Sequence, residues 1–178
     1  MAMDHFLEEV AVKRNNTVNK IVYYFSWVVL IFSALIAAMI LGTIVTNFNV
    51  VSLATMLIMG GIAAYTFLFH DRLLTEYEYT FTNGSLDFAE VYNNKKRKSL
   101  GSLKVKGVEA FGKVASSSFQ RYVSMRDVQQ LRWYLNRDAE LYYFFFQKDG
   151  KKSLIVFEPS EDMVRLVRQY LPHGVEQG

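Results

Sequence analysis

The chain has 178 residues, 51% of them hydrophobic and 21% charged, with a formal net charge of +3 and no cysteine. Missing thiols exclude a disulfide framework, a thiolate nucleophile and a thiolate metal site, and so mild a charge is no electrostatic footprint for nucleic acid. The length leaves room for one small domain of roughly a hundred residues beside whatever the hydrophobic excess builds.

Residues 1–20 read as a cytoplasmic N-terminal segment in which Phe6 and Val10, with Leu7 beside them, form the apolar side of a short interfacial helix. Residues 21–69 then contain no Asp, Glu, Lys, Arg or His. A helix needs about 20 apolar residues to cross the ~30 Å hydrocarbon core of a bilayer, so the stretch suffices for two crossings. Its most polar patch is Thr46-Asn47-Phe48-Asn49, and a chain that reverses inside hydrocarbon would leave amides unpaired. The pattern predicts a transmembrane α-helical hairpin with spans at about 21–45 and 50–69.

Lys13, Arg14 and Lys20 precede the first span, Arg72 follows the second, and the connecting turn has no basic residue. The positive-inside bias therefore places both termini in the cytoplasm of a multi-pass cell-membrane protein. Tyr23, Tyr24, Trp27 and Tyr65 suit the interfacial band. Ala34, Ala37 and Ala38 follow a basic flank as in a signal peptide, but the apolar stretch is too long for an h-region and a second span follows, so no cleavage is expected. Gly60-Gly61 lets another helix approach closely, either residues 39–42 within the hairpin or a second copy in a homo-oligomer. The spans carry no ionisable residue, which argues against an ion pathway.

After His70 the pattern changes to alternation. Tyr77, Tyr79 and Phe81 share one face and Glu76, Glu78, Thr80 and Thr82 the other, as in a half-buried strand. Asn83-Gly84 suits a type I′ turn into a returning strand over 85–92. Lys95-Lys96-Arg97-Lys98 follows as the basic cluster, in a loop before strands at about 100–105 and 108–114, with Gly101, Gly107 and Gly112 as bulges, turns or close approaches. Residues 116–126 read as irregular or a short helix. Over 128–136, Val128, Leu131 and Leu135 fit a helix while Leu131, Trp133 and Leu135 fit a strand; the turn at Asn136-Arg137-Asp138 favours the strand. Residues 140–147 hold a six-residue apolar run that wants burial in a sheet, and Lys148-Asp149-Gly150-Lys151 turns it into 152–157. Pro159 stops that strand and Ser160 caps a final helix over 160–171, with Met163, Leu166, Val167, Tyr170 and Leu171 on one face. Pro172 ends the helix and leaves 173–178 as a tail. Short antiparallel strands followed by one amphipathic helix make a mainly-β barrel or sandwich closed by a helix at 72–172.

That order resembles the pleckstrin-homology-like (PH-like) fold. The segment Glu76-Tyr77-Glu78-Tyr79-Thr80-Phe81-Thr82-Asn83-Gly84-Ser85-Leu86-Asp87 after a two-span hairpin looks like the opening of membrane-attached bacterial PH-like domains, and Phe157-Glu158-Pro159-Ser160-Glu161 like their entry to the last helix. With Met3-Asp4-His5-Phe6 at its start, the chain is similar to a family of small bacterial two-span membrane proteins of unknown function. The resemblance implies an interaction or assembly module. Lipid-binding relatives of the fold place basic residues between the first two strands, whereas here that connection is the short Asn83-Gly84 turn.

Nothing in the sequence announces chemistry. His5, His70 and His173 lack a second ligand three or four residues away, so neither a metal nor a cofactor is expected. Glu76 and Glu78 share a strand face but suggest a solvated surface rather than a catalytic pair. No Gly-rich phosphate loop, nucleophile elbow or zinc-protease motif occurs, so the expectation is no catalytic residue and no enzyme. The candidate ligand contact is Lys95, Lys96, Arg97 and Lys98 against anionic lipid headgroups. The expected role is a membrane-anchored binding module for lipid or an unidentified protein partner. The competing reading is a subunit of a transport or envelope complex whose hairpin is the essential interface.

Overall fold

The computed structural model describes residues 5–177. It divides into two compact units, one of 15–75 and the other combining the residues up to 14 with those from 76 onward.

The second unit is built on two sheets. In the first, β1 (Phe6–Ala11), β2 (Thr75–Thr82), β3 (Ser85–Tyr92) and β4 (Lys96–Lys104) lie in that order. The other contains β5 (Ala110–Lys113), β6 (Val128–Trp133), β7 (Tyr142–Lys148), β8 (Lys151–Phe157) and β9 (Glu176–Gln177), in the order β6-β8-β7-β5-β9. Inner faces of both sheets share one core, in which Tyr79, Phe81 and Phe88 of the first meet Phe111, Phe144, Ile155 and Phe157 of the second. The last helix, α4 (Glu161–Tyr170), adds Met163, Val164 and Val167 to that core. Ser160 caps it by accepting the Met163 amide at 3.2 Å, as its sequence suggests.

The second sheet is buried on both sides. Tyr143, Phe145, Leu154 and Val156 point away from the shared core into a second cluster with Tyr122, closed by the short helix α3 (Ser117–Val123). This accounts for the unbroken run from Leu141 to Phe146, because a strand covered on both faces has no reason to alternate. Residues 128–133 form a strand, parallel to β8.

Phe6 to Ala11 is also a strand, not the interfacial helix that Phe6, Leu7 and Val10 suggest. β1 pairs antiparallel with β2, setting Leu7 opposite Phe81 and Ala11 opposite Tyr77, and alternate residues turn inward. Glu9 falls on the inward side and hides the apolar alternation; its carboxylate accepts the Ser160 amide at 3.1 and 3.3 Å. Burial raises the Glu9 pKa above the ordinary carboxylate value despite that hydrogen bond. The whole stretch 12–74 is thus inserted between two paired strands.

The inserted unit contains α1 (Thr17–Thr46), α2 (Val50–Phe69) and a 3₁₀ turn at His70–Leu74. Asn49 caps α2 by accepting the Val51 amide at 2.8 Å. At ~1.5 Å per residue the helices are about 45 and 30 Å long, and both are long and apolar enough to cross a membrane. Most of their shielded residues follow a 3-4 spacing, with Tyr23, Ser26, Leu30, Ser33, Ala37, Ile40 and Ile44 on α1 and Ser52, Met56, Met59, Ala63 and Thr66 on α2; Asn19, Val29, Leu53, Thr55, Gly60 and Phe69 are shielded as well. Such a seam is the mark of knobs-into-holes packing. Gly60 is half-buried and Gly61 exposed, and a Cβ on either would meet no atom within 4 Å, so neither glycine is needed for clearance within the hairpin.

The split has a direct test. Residues 76–177 alone should lose stability, by about 3 kcal/mol from exposed apolar surface and the lost Glu9 contact. Joining Arg14 to Glu76 through a short Asn-Gly-containing linker should restore it. Urea unfolding of the two proteins measures the difference.

Candidate headgroup site

The basic cluster sits on a hairpin turn rather than in an open loop. Asn93 and Asn94 adopt φ of 50° and 53°, where asparagine is tolerated better than most residues, and the Lys95 amide donates to the Tyr92 carbonyl at 2.9 Å. Lys96, Arg97 and Lys98 are the first residues of β4, at the edge of the first sheet. Pairing sets Lys96 opposite Tyr92, Arg97 opposite Val91 and Lys98 opposite Glu90.

Strand alternation divides the four cations, because successive side chains take opposite faces. Arg97 turns to the outer face and forms an ion pair with Glu78 of β2. Glu78 is buried, with 7% of its surface exposed. Burial raises its pKa, the Arg97 guanidinium pulls it back, and neighbouring Glu8 pushes it up again. Arg97 is therefore committed to a structural partner and does not form a four-charge patch with its neighbours. Lys96 and Lys98 are exposed on the opposite strand face and form no ion pair among the described residues.

Chain direction fixes the place of this turn within the sheet. β2 runs from Thr75 to the Asn83-Gly84 turn, β3 returns from it, and the Tyr92–Lys96 connection lies at the end of the sheet where β2 begins and β1 finishes. The links to the apolar helices leave from the same end.

The opposite turn is closed. Gly84 has φ of 88°, and a Cβ there would lie 2.5 Å from the Tyr170 ring. His5 donates its amide to Asn83 Oδ1 and accepts the Asn83 amide, both at 3.0 Å, while Tyr170 Oη and His5 Nδ1 are 3.0 Å apart. The connection between β2 and β3 is thus a clamped two-residue turn.

A polar cluster missed by motif reasoning holds the strand exits together. Buried Asn136 donates through Nδ2 to the Val12 carbonyl and to both Glu158 oxygens, and its Oδ1 accepts the Arg14 amide at 2.9 Å. Tyr79 Oη donates to the Trp133 carbonyl and accepts the Glu158 amide at 3.4 Å; burial pushes that phenol far above its ordinary pKa. No sequence motif announces such a group, since its members are scattered along the chain. In the helical unit, His70 is also buried, between Tyr23 and Trp27 at centroid distances of 5.6 and 4.9 Å. Its Nδ1 lies 2.9 Å from the Phe67 carbonyl, an acceptor that requires the proton on that nitrogen.

Two sheets around one core, closed by a C-terminal helix and interrupted after the first strand by a long apolar α-hairpin, define a PH-like module with an inserted helical pair. The chain belongs to the family of bacterial PH-like domains designated DUF6106, whose profile matches residues 3–177. The family's function is unknown. Comparison with curated proteins and with solved structures gave no significant match.

Arg97→Ala should destabilise the protein by about 1–3 kcal/mol at neutral pH, because it strands a buried carboxylate. A carboxyl whose folded pKa is raised gains a proton more readily in the folded state, so its ionisation opposes folding as pH rises through that pKa. The defect should therefore shrink as pH falls from 7 toward the ordinary carboxylate value, and Glu78→Gln should flatten this pH dependence. Lys96→Ala with Lys98→Ala should leave stability within ~0.5 kcal/mol. Thermal unfolding across pH separates the two classes.

Proposed function

We propose that this protein is an integral component of the bacterial cytoplasmic membrane, anchored by its α-hairpin, whose cytosolic PH-like domain works by binding rather than catalysis. The observation that carries the reading is the outward surface of the hairpin. Phe25, Phe32, Leu57 and Phe67 are each more than 60% exposed, with many smaller apolar neighbours. Soluble monomers seldom expose contiguous apolar patches beyond a few hundred Å², whereas hydrocarbon solvates such a surface. The hydroxyls of Ser26, Ser33, Thr43 and Thr55 bond carbonyls of their own helices, which suits a medium with no water to satisfy them.

The β1–β2 ladder supports a two-crossing topology, because strands in one sheet must share a compartment and only an even number of crossings returns the chain to it. The basic flanks Lys13, Arg14, Lys20 and Arg72 favour the cytosol for that compartment. Within the domain, Lys96 and Lys98 stand at the sheet end from which both links to the anchor depart. Each contributes about 1 kcal/mol near an anionic leaflet, enough to orient a domain already tethered.

Two measurements test this. In the cysteine-free chain, Asn47→Cys should react with a membrane-impermeant thiol reagent in intact cells and Lys151→Cys should not; the reverse labelling, or recovery of the protein in a detergent-free supernatant, would overturn the anchor. For the headgroup contact, an environment-sensitive dye on Ser99→Cys should respond to anionic but not zwitterionic nanodiscs. High salt, or combined Lys96→Ala and Lys98→Ala, should abolish the response.

A further inference from the structure

The β5 edge carries an added strand with unusual features. Glu176 and Gln177 pair with it in parallel, opposite Phe111 and Gly112, and the Phe111 amide donates to the Val175 carbonyl at 3.0 Å. Gly174, at φ of 79°, turns the chain back toward β5 after α4. Gly112 has no positive φ to explain it; a Cβ there would lie 2.7 Å from the Gln177 carbonyl oxygen. Glycine within a strand marks a place where another backbone must come close.

The strand itself has two residues; Val175 before it packs against the shared core, while among the described residues its side-chain ion pair, Arg168 Nε to Glu176 Oε1 at 2.7 Å, is about half exposed at each partner, a class of contact that stabilises little. The strand also does not fill its surroundings. A cavity of about 350 Å³ borders Gly112, Tyr142, Arg168 and Gln177. Another of about 350 Å³ shares Lys113, Tyr142 and Arg168 with it and continues along Val164 and Arg165 of α4. Of the cations in this trough, Lys113 pairs with Glu140 and Arg165 with Asp162, both fixed parts of the domain. Arg168 alone takes its carboxylate from the added strand.

We propose that the trough between β5 and α4 is an acceptor site for an extended segment of a partner protein, which adds as a strand along Phe111 and Gly112 and presents a carboxylate to Arg168, and that residues 175–177 occupy the site in cis until displaced. The occupant's chemistry follows from the segment already seated there: extended backbone, a small β-branched residue, then an acidic side chain. Strand addition draws affinity from main-chain hydrogen bonds and specificity from side-chain contacts, and a tethered occupant of low intrinsic affinity competes through its effective concentration. The inference rests on the binding role proposed above and supplies its partner class.

The test uses the full-length protein in detergent micelles and a fluorescent peptide Pro-His-Gly-Val-Glu-Gln, matching residues 172–177. Deleting residues from 174 onward should open the site, so that the peptide binds the shortened protein saturably and at least tenfold more tightly than the intact one. Arg168→Gln in the shortened protein, or Glu→Gln in the peptide, should each weaken binding several-fold. Gly112→Val should abolish it, with an unchanged thermal midpoint showing that the fold persists. Equal binding to shortened and intact protein, or indifference to Gly112→Val in the folded protein, would overturn the site. An intact-protein dimer that disappears on shortening would seat a second copy's segment there and overturn the partner assignment. No bilayer is needed for this measurement, so its failure leaves the thiol-labelling result standing, and failed labelling leaves peptide binding interpretable.

Discussion

The ladder between β1 and β2 is the constraint on which the rest of the molecule depends. Val10 pairs with Glu78 and Leu7 with Phe81 across an insertion that includes both long helices. Closing so long a loop costs conformational entropy that grows only logarithmically with length, and the helices reduce the effective span by ordering most of it. Sheet completion, the Glu9 hold on the Ser160 amide and the common location of both flanks follow from this one pairing. A chain spanning a bilayer with its flanks on opposite sides could not form it.

The polar cluster around Asn136 reinforces the same junction. Low local dielectric strengthens hydrogen bonds and raises the cost of leaving any of them unmade, so a buried amide bonded to Glu158, Val12 and Arg14 ties the strand-β6 exit to the N-terminal segment in one geometry. Tyr79 extends the connection from β2 to the Trp133 carbonyl. The Asn136 bonds to Val12 and Arg14 join residues more than 120 positions apart, and they hold β1 at the end where the chain departs for the helices, where fraying would begin.

Much of this architecture was legible locally. Lack of charge over 21–69 marked two helices because a bilayer-length helix requires it, and Asn-Gly, Asp-Gly and Ser160 marked turns and a cap because few residues tolerate those geometries. Alternation at Tyr77, Tyr79 and Phe81 showed β2 because its apolar side chains all turn to the shared core. β1 was illegible for a reason located in Glu9, whose carboxylate occupies an inward position to meet the Ser160 amide and so breaks the apolar pattern. The Lys95–Lys98 run was visible as charge, but its division depended on knowing that β4 begins at Lys96 and that Glu78 waits across the sheet. Likewise, Gly60-Gly61 is a conspicuous pair, yet a Cβ on either residue would meet no atom within 4 Å, so close helix approach within the hairpin does not account for it.

The two turns of the first sheet illustrate how the same fold can close one surface and leave another available. At Asn83-Gly84, His5 and Tyr170 satisfy the backbone and fill the space a side chain would need; a ligand there would have to break contacts made by β1 and α4 together. At Asn93-Asn94 the reversal is achieved by left-handed asparagines, and Lys96 and Lys98 remain in solvent. Arg97 cannot join them without leaving Glu78 charged and unpaired inside the sheet, so the effective positive patch is smaller than the sequence run. That asymmetry leaves Lys96 and Lys98 as exposed cations beside the Tyr92–Lys96 turn and makes Arg97 part of the fold.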